Sequence, residues 1–328
     1  MFHRNVIVIL LIFFLLVSSS NCFSSPDRPI QEEISIFPPE QPLEGPGGSN
    51  YTHNSIKTRS YRFGGQQVWI FLPDDPQPVS ASIVIFYHGW SAFLPVFYRD
   101  WIEHLVYHGS IVVYPRYQRG LTLGHQWFYE NAMNAAKFAL TRLQKNNNII
   151  PDLDKVAVVG HSLGGGMCLY HAAYWNVLGL PQPQAIMAVK PVIPTWETIE
   201  LHNVNTSTNL LVIIGEDDEI ADFKFAKTIY YNTTQIPFDQ KNYVIMQTDT
   251  YGDPDLVANH IAPLCTPLFS STDALEFYGT WKLFDALLDF SFNGINKDYC
   301  LGNTTEQRFM GLWSDDTPVN ELTIVENP

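Results

Sequence analysis

Short runs of almost unbroken apolar and β-branched residues recur along the chain, at residues 82–87, 110–114, 155–159, 185–189, 209–214 and 242–247. Runs of this length without polar alternation predict strands buried on both faces of a sheet. Between them the spacing turns helical. Tyr98, Trp101, Ile102 and Leu105 share one face over 98–107, and Phe128, Met133, Ala136, Phe138, Leu140 and Leu143 one face over 126–146. Residues 274–290 are amphipathic again and close the pattern. Strands alternating with helices predict an α/β fold with a mostly parallel central sheet flanked by helices and right-handed crossovers. Catalytic groups then belong at the carboxyl ends of the strands. Residues 61–63 and 67–72, on either side of Gly64-Gly65, read instead as an antiparallel edge hairpin.

The flanks break this pattern. His3 and Arg4, an apolar run over 6–17 and then Ser18-Ser19-Ser20-Asn21-Cys22 predict a secretory signal peptide at 1–22. The run is short of the roughly 20 residues a membrane span needs. Residues 23–59, rich in Pro, Gly, Glu and Ser, predict an extended, partly disordered leader. The domain itself is expected over 60–290 and a tail packed on it over 291–328. Residues 190–208 read equally as a plain loop or a short lid. With 46% hydrophobic and 14% aromatic residues, global disorder is excluded. A formal net charge of −14 excludes nucleic acid and anionic membrane as partners, since the long-range field repels phosphate.

Secretion gives other residues a meaning. Asn50, Asn205, Asn232 and Asn303 head Asn-x-Ser/Thr sequons and are expected glycan acceptors. The destination is then extracellular or lysosomal. With Cys22 leaving in the signal and Cys168 on the helix behind the main motif, Cys265 and Cys300 remain to form a disulfide that clips the tail. No Cys/His spacing reads as a metal site, and no cofactor is expected.

The candidate chemistry sits where the run at 155–159 ends, in Gly160-His161-Ser162-Leu163-Gly164, with a helical segment directly behind. Glycines two before and two after the serine let helix and neighbouring strand crowd the turn, which holds Ser162 strained and its hydroxyl exposed above the sheet. The N–H of Leu163 opens the helix and points at an oxyanion forming on a substrate bound there. Upstream, the strand at 82–87 runs into His88-Gly89-Trp90-Ser91, where the Trp90 N–H is the second candidate donor. Trp90, Phe93 and Phe97 are candidate walls of an acyl pocket. A serine nucleophile needs an imidazole to take its proton and a carboxylate to fix the imidazole tautomer. Gly215-Glu216-Asp217-Asp218 at the end of 209–214 offers Asp218, with Asp217 one residue away as the rival. His260 is the only histidine in the chain beyond Asp218.

With Ser162, Asp218 and His260 in that order, the chain resembles the α/β-hydrolase superfamily over about 61–290, most closely the dienelactone-hydrolase, chlorophyllase and polyester-hydrolase-like esterases with little or no cap. The resemblance implies a small-molecule or lipid carboxylic ester as substrate and a Ser-His-Asp acyl-enzyme mechanism. Peptidases and thioesterases use the same triad. A non-catalytic binding protein on a hydrolase scaffold is the reading from a different class.

Overall fold

In the computed structural model the described residues are 35–63, 66–120, 126–145, 148–195, 197–265 and 271–325. The chain divides into Met1–Ser35 and a unit beginning at Ile36. All of the first but Ser35, and with it the expected signal peptide, lies outside the described residues. Among the described residues the second unit has nine strands: β1 (Ser55–Phe63), β2 (Gln66–Asp74), β3 (Ser80–Tyr87), β4 (Ile111–Arg116), β5 (Ile150–His161), β6 (Ala185–Val189), β7 (Asn209–Gly215), β8 (Lys241–Met246) and β9 (Thr323–Val325). They form one sheet in the order β1-β2-β4-β3-β5-β6-β7-β8-β9. From β4 to β8 the pairs are parallel, while β1, β2 and β9 pair antiparallel at the edges. This is the expected α/β-hydrolase sheet, and it starts five residues earlier than residue 60.

The unbroken apolar runs have a direct cause. Side chains alternate between the two faces of each strand, and both faces are covered. On one face Ile83, Ile85, Val156, Val158, Leu210 and Val212 pack with α2 (Phe128–Lys145), α3 (Leu163–Leu178) and α4 (Phe223–Asn232). On the other, Val84, Phe86, Ala157, Val159, Leu211 and Ile213 pack with α1 (Arg99–Tyr107) and α5 (Lys282–Asn293). A π-helical stretch, Leu275–Trp281, leads into α5.

The helix α4 was not foreseen. Its apolar positions Ala226, Ile229 and Tyr230 have helical spacing, but ten residues carry too little of the pattern to stand out. The Asp222 carboxylate caps it by accepting from the Lys224 N–H at 2.8 Å. Residues 190–208 hold only a 3₁₀ turn, Leu201–Asn203, among the described residues.

The expected Cys265–Cys300 disulfide is not formed: both thiols are free and buried, as is that of Cys168. Cys265 sits where its N–H donates to Phe97 O at 3.0 Å. The Cys300 thiol points at the carbonyl of Lys297, 3.4 Å away, inside its own turn. The tail is held by other means. Lys282 reaches the carbonyls of Glu306, Gln307 and Phe309, at 3.0 and 2.9 Å for the first two. The helix α6 (Thr305–Arg308) is thereby pinned to the start of α5. Trp313 is buried with its Nε1–H donating to Asp249 at 3.2 Å, and β9 adds to the sheet beside β8. Mapping of non-reduced peptides is therefore expected to find three free thiols in the described domain, and reductant to leave Tm unchanged. A linked 265–300 peptide would refute this.

Candidate active site

Ser162 caps α3 at φ 55°, ψ −121°, a conformation that disfavours any side-chain-bearing residue. The turn is tied on both sides. Ser162 N–H donates to Val189 O on β6, and its carbonyl accepts from Gly165 and Val192, each at 2.9 Å. Gly164 is sterically required, because a Cβ there would lie 2.0 Å from Tyr87 O on β3. Helix α3 thus comes down close on β3, and the serine is lifted out at the sheet's carboxyl edge.

The loops after β7 and β8 bring the partners. His260 Nε2 lies 3.0 Å from Ser162 Oγ, and His260 Nδ1 lies 2.8 Å from Asp218 Oδ2. The other oxygen of Asp218 accepts from the N–H groups of Ile220 and Ala221 at 2.9 and 2.8 Å. Burial works against the Asp218 charge, but the His260 hydrogen bond, the imidazole charge and these two N–H groups hold its carboxyl below the usual range. With Asp218 acting as an acceptor throughout, Nδ1 carries the imidazole proton, and Nε2 is left to accept from the serine hydroxyl. Asp217 is excluded from this role by its direction: its carboxylate takes the Thr248 hydroxyl at 2.5 Å, on the exposed side.

The N–H groups of Trp90 and Leu163 form no hydrogen bond among the described residues. Their neighbours are spoken for. Gly89 N–H donates to Tyr98 Oη at 3.0 Å, and Ser91 N–H donates to Gln118 Oε1 at 2.8 Å. The loop is braced further by His88, whose ring stacks on Tyr117 at 4.0 Å while its carbonyl accepts from the Tyr117 hydroxyl. Burial lowers the His88 pKa to about 3, so this imidazole is neutral and packs as an aromatic. Of the expected pocket walls, Trp90 is half-buried, Phe93 lies under the Arg116 guanidinium, and Phe97 packs against the core beside α1.

Two sets of residues that sequence reasoning missed support this arrangement. Tyr98 takes the Gly89 N–H and donates to His161 Nδ1 at 2.8 Å; His161 Nε2–H donates to His260 O at 2.9 Å. One chain of bonds therefore links the Trp90 loop, the serine turn and the histidine loop. Burial, with the charges of His260 and Lys190, holds the His161 pKa well below its ordinary value, which suits a ring with one donor and one acceptor nitrogen. The second is Lys190, fully buried at the end of β6 with its ammonium on Asn259 O, the residue before His260. Burial lowers its pKa to about 8, against the pull of Asp218, Glu276 and Asp273. A lysine closing a wholly apolar strand was the signal available for it.

The four sequons are placed unevenly. Asn50 and Asn232 are exposed, whereas Asn205 and Asn303 are half-buried with their side chains bonded to Gln182 and Arg308.

The sequence model of the Chlorophyllase family matches residues 47–202. That span carries the Trp90 loop and Ser162, while Asp218 and His260 lie beyond it. No curated protein matches the chain.

Proposed function

We propose, from the premise that this chain is an α/β-hydrolase, that it is a secreted serine hydrolase cleaving carboxylic esters through an acyl-enzyme. The observation that carries this reading is the unbroken line of hydrogen bonds from Ser162 Oγ through His260 to Asp218, set beside two unused N–H groups. His260 takes the hydroxyl proton as Ser162 Oγ adds to the ester carbonyl. The negative oxygen of the tetrahedral species accepts from the N–H groups of Trp90 and Leu163. Collapse breaks the bond to the alkoxy oxygen, which leaves as the alcohol with the proton from His260. Water then repeats the cycle on the acyl-serine, releasing the acid and restoring Ser162. No step calls for a cofactor.

The substrate side is apolar and uncharged or weakly charged. Leu94, Val96 and Ile220 are exposed on the loops that carry Trp90 and Asp218, and the net charge of −14 disfavours an anionic ester. The signal-like segment and the exposed Asn50 and Asn232 sequons support secretion with glycosylation. A panel of p-nitrophenyl esters of short to long acyl chain, with chlorophyll as the ester named by the matching family, tests the reading. Turnover is expected on esters and not on matched anilides. Hydrolysis of amides or thioesters in preference would overturn the substrate class.

A further inference from the structure

Away from Ser162, two helices that face the same packing layer each present a pair of polar side chains one turn apart. These are His104 on α1 with His108 at its C-cap, and Asp285 and Asp289 on α5. One ligand atom from each of His104, His108 and Asp285 lies within 4.8 Å of the other two. His104 Nε2 is 2.8 Å from Asp285 Oδ2, and the two imidazole rings are 4.6 Å apart, centre to centre. We propose that His104, His108 and Asp285 bind a divalent transition metal, zinc by donor type, that clamps the N-terminal segment to the domain.

Three observations carry this assignment. The donor set is the first: two imidazole nitrogens and one carboxylate oxygen suit a borderline cation such as Zn²⁺. The second is the orientation of the ligands by neighbours. Metal-binding histidines usually have their other ring nitrogen held by a hydroxyl or carbonyl group. His104 Nδ1 meets the Tyr51 hydroxyl at 3.2 Å, His108 Nε2 meets Gly48 O at 2.9 Å, and Asp285 Oδ2 takes the Gly47 N–H at 2.8 Å. The third is charge. Asp285 is buried, and no lysine or arginine among the described residues forms an ion pair with it. A carboxylate buried without a lysine or arginine beside it gains from a bound cation. Asp289, one turn on, is bonded to Asn296 at 2.7 Å.

Metal–ligand bonds of about 2.0–2.2 Å bring donor atoms to within about 3.5 Å of one another. His108, half-buried with its Nε2 on Gly48 O, has Nδ1 left to ligate. The Gly47-Gly48 turn lies over the site, so occupancy would fasten residues 36–54 to α1 and α5.

Calorimetric titration of ZnCl₂ into the chelator-stripped full chain, paired with thermal unfolding, tests this. One equivalent is expected to bind and to raise Tm. His108→Gln, which removes a ligand at a half-exposed position, is expected to weaken binding at least tenfold while leaving the metal-free Tm near wild type. Asp285→Asn is expected to do the same to binding, and His202→Ala, a surface histidine elsewhere, to change nothing. Absence of saturable binding by the wild type, or wild-type affinity in the His108 and Asp285 variants, would overturn the proposal.

Discussion

Replacing Ser162 by alanine is expected to lower kcat for ester hydrolysis by about 10⁶-fold, roughly 8 kcal/mol of transition-state stabilisation. It is also expected to abolish labelling by a fluorophosphonate probe. The variant loses only Oγ and its 3.0 Å contact with His260, so fold and substrate binding are retained. What little hydrolysis persists comes from the N–H groups of Trp90 and Leu163 and from substrate positioning. The strain at φ 55° bears on alanine as it does on serine, so Tm should hardly move. Glycine is different. It relieves strain of about 1–3 kcal/mol at an entropic cost of about 0.5–1 kcal/mol. Ser162→Gly should therefore be as inactive as Ser162→Ala yet melt higher. Wild-type rates in Ser162→Ala, or labelling that survives it, would remove Ser162 from the chemistry, and no labelling in either protein would favour the binding-protein reading.

The strands β3 to β8 were legible because burial on both faces writes an unbroken apolar run into the sequence. Ser162 was legible because its geometry is made locally, by glycines two residues away on a strand–helix turn. Asp218 and Asp217 could not be separated by the same means. They differ by one position, and what decides between them is which carboxylate takes the N–H groups of Ile220 and Ala221 and which takes Thr248. The supporting bonds were further out of reach. Tyr98 and His161 are 63 residues apart, and Lys190 and Asn259 are 69 apart, so no local pattern marks them.

The disulfide failed for a related reason. Elimination counts cysteines but does not locate them, and Cys265 and Cys300 are each satisfied within their own surroundings. What fastens the tail is instead a buried lysine on three carbonyls, one buried tryptophan and a three-residue strand. The glycine-rich stretch before Ser55 misleads in the same way. It lacks apolar periodicity because it is held by polar groups, the Gly47 N–H and Gly48 O of its backbone and the side chains of Tyr51, Thr52 and His53. The His104 and His108 spacing of i, i+4 reads as no metal site by itself, and only the fold adds Asp285, 181 residues from His104.

Asp218→Asn is expected to cut kcat by about 10⁴-fold, roughly 5.4 kcal/mol, with KM little changed. The reasoning rests on proton direction. The N–H groups of Ile220 and Ala221 both point at Oδ1, so an asparagine there keeps its carbonyl oxygen on that side. Its amide nitrogen must then face His260 Nδ1, where Asp218 Oδ2 now sits at 2.8 Å. An amide N–H meeting Nδ1 needs a lone pair there, which drives the imidazole proton to Nε2. That nitrogen lies 3.0 Å from Ser162 Oγ and, once protonated, no longer accepts the hydroxyl proton. Fluorophosphonate labelling should slow in parallel but persist, because the nucleophile itself is intact. The carboxyl of Asp218 is held below its ordinary value of 3.8 by the folded surroundings, so its contribution to stability is present above that pH and lost as pH falls through the folded value. The Tm difference between wild type and Asp218→Asn should accordingly narrow only below about pH 4. Asp217→Asn serves as the counter-test. Its carboxylate holds an exposed hydroxyl and touches neither His260 nor Ser162, so near-wild-type turnover is expected. A large loss in Asp217→Asn with little in Asp218→Asn would reverse the assignment of the acid.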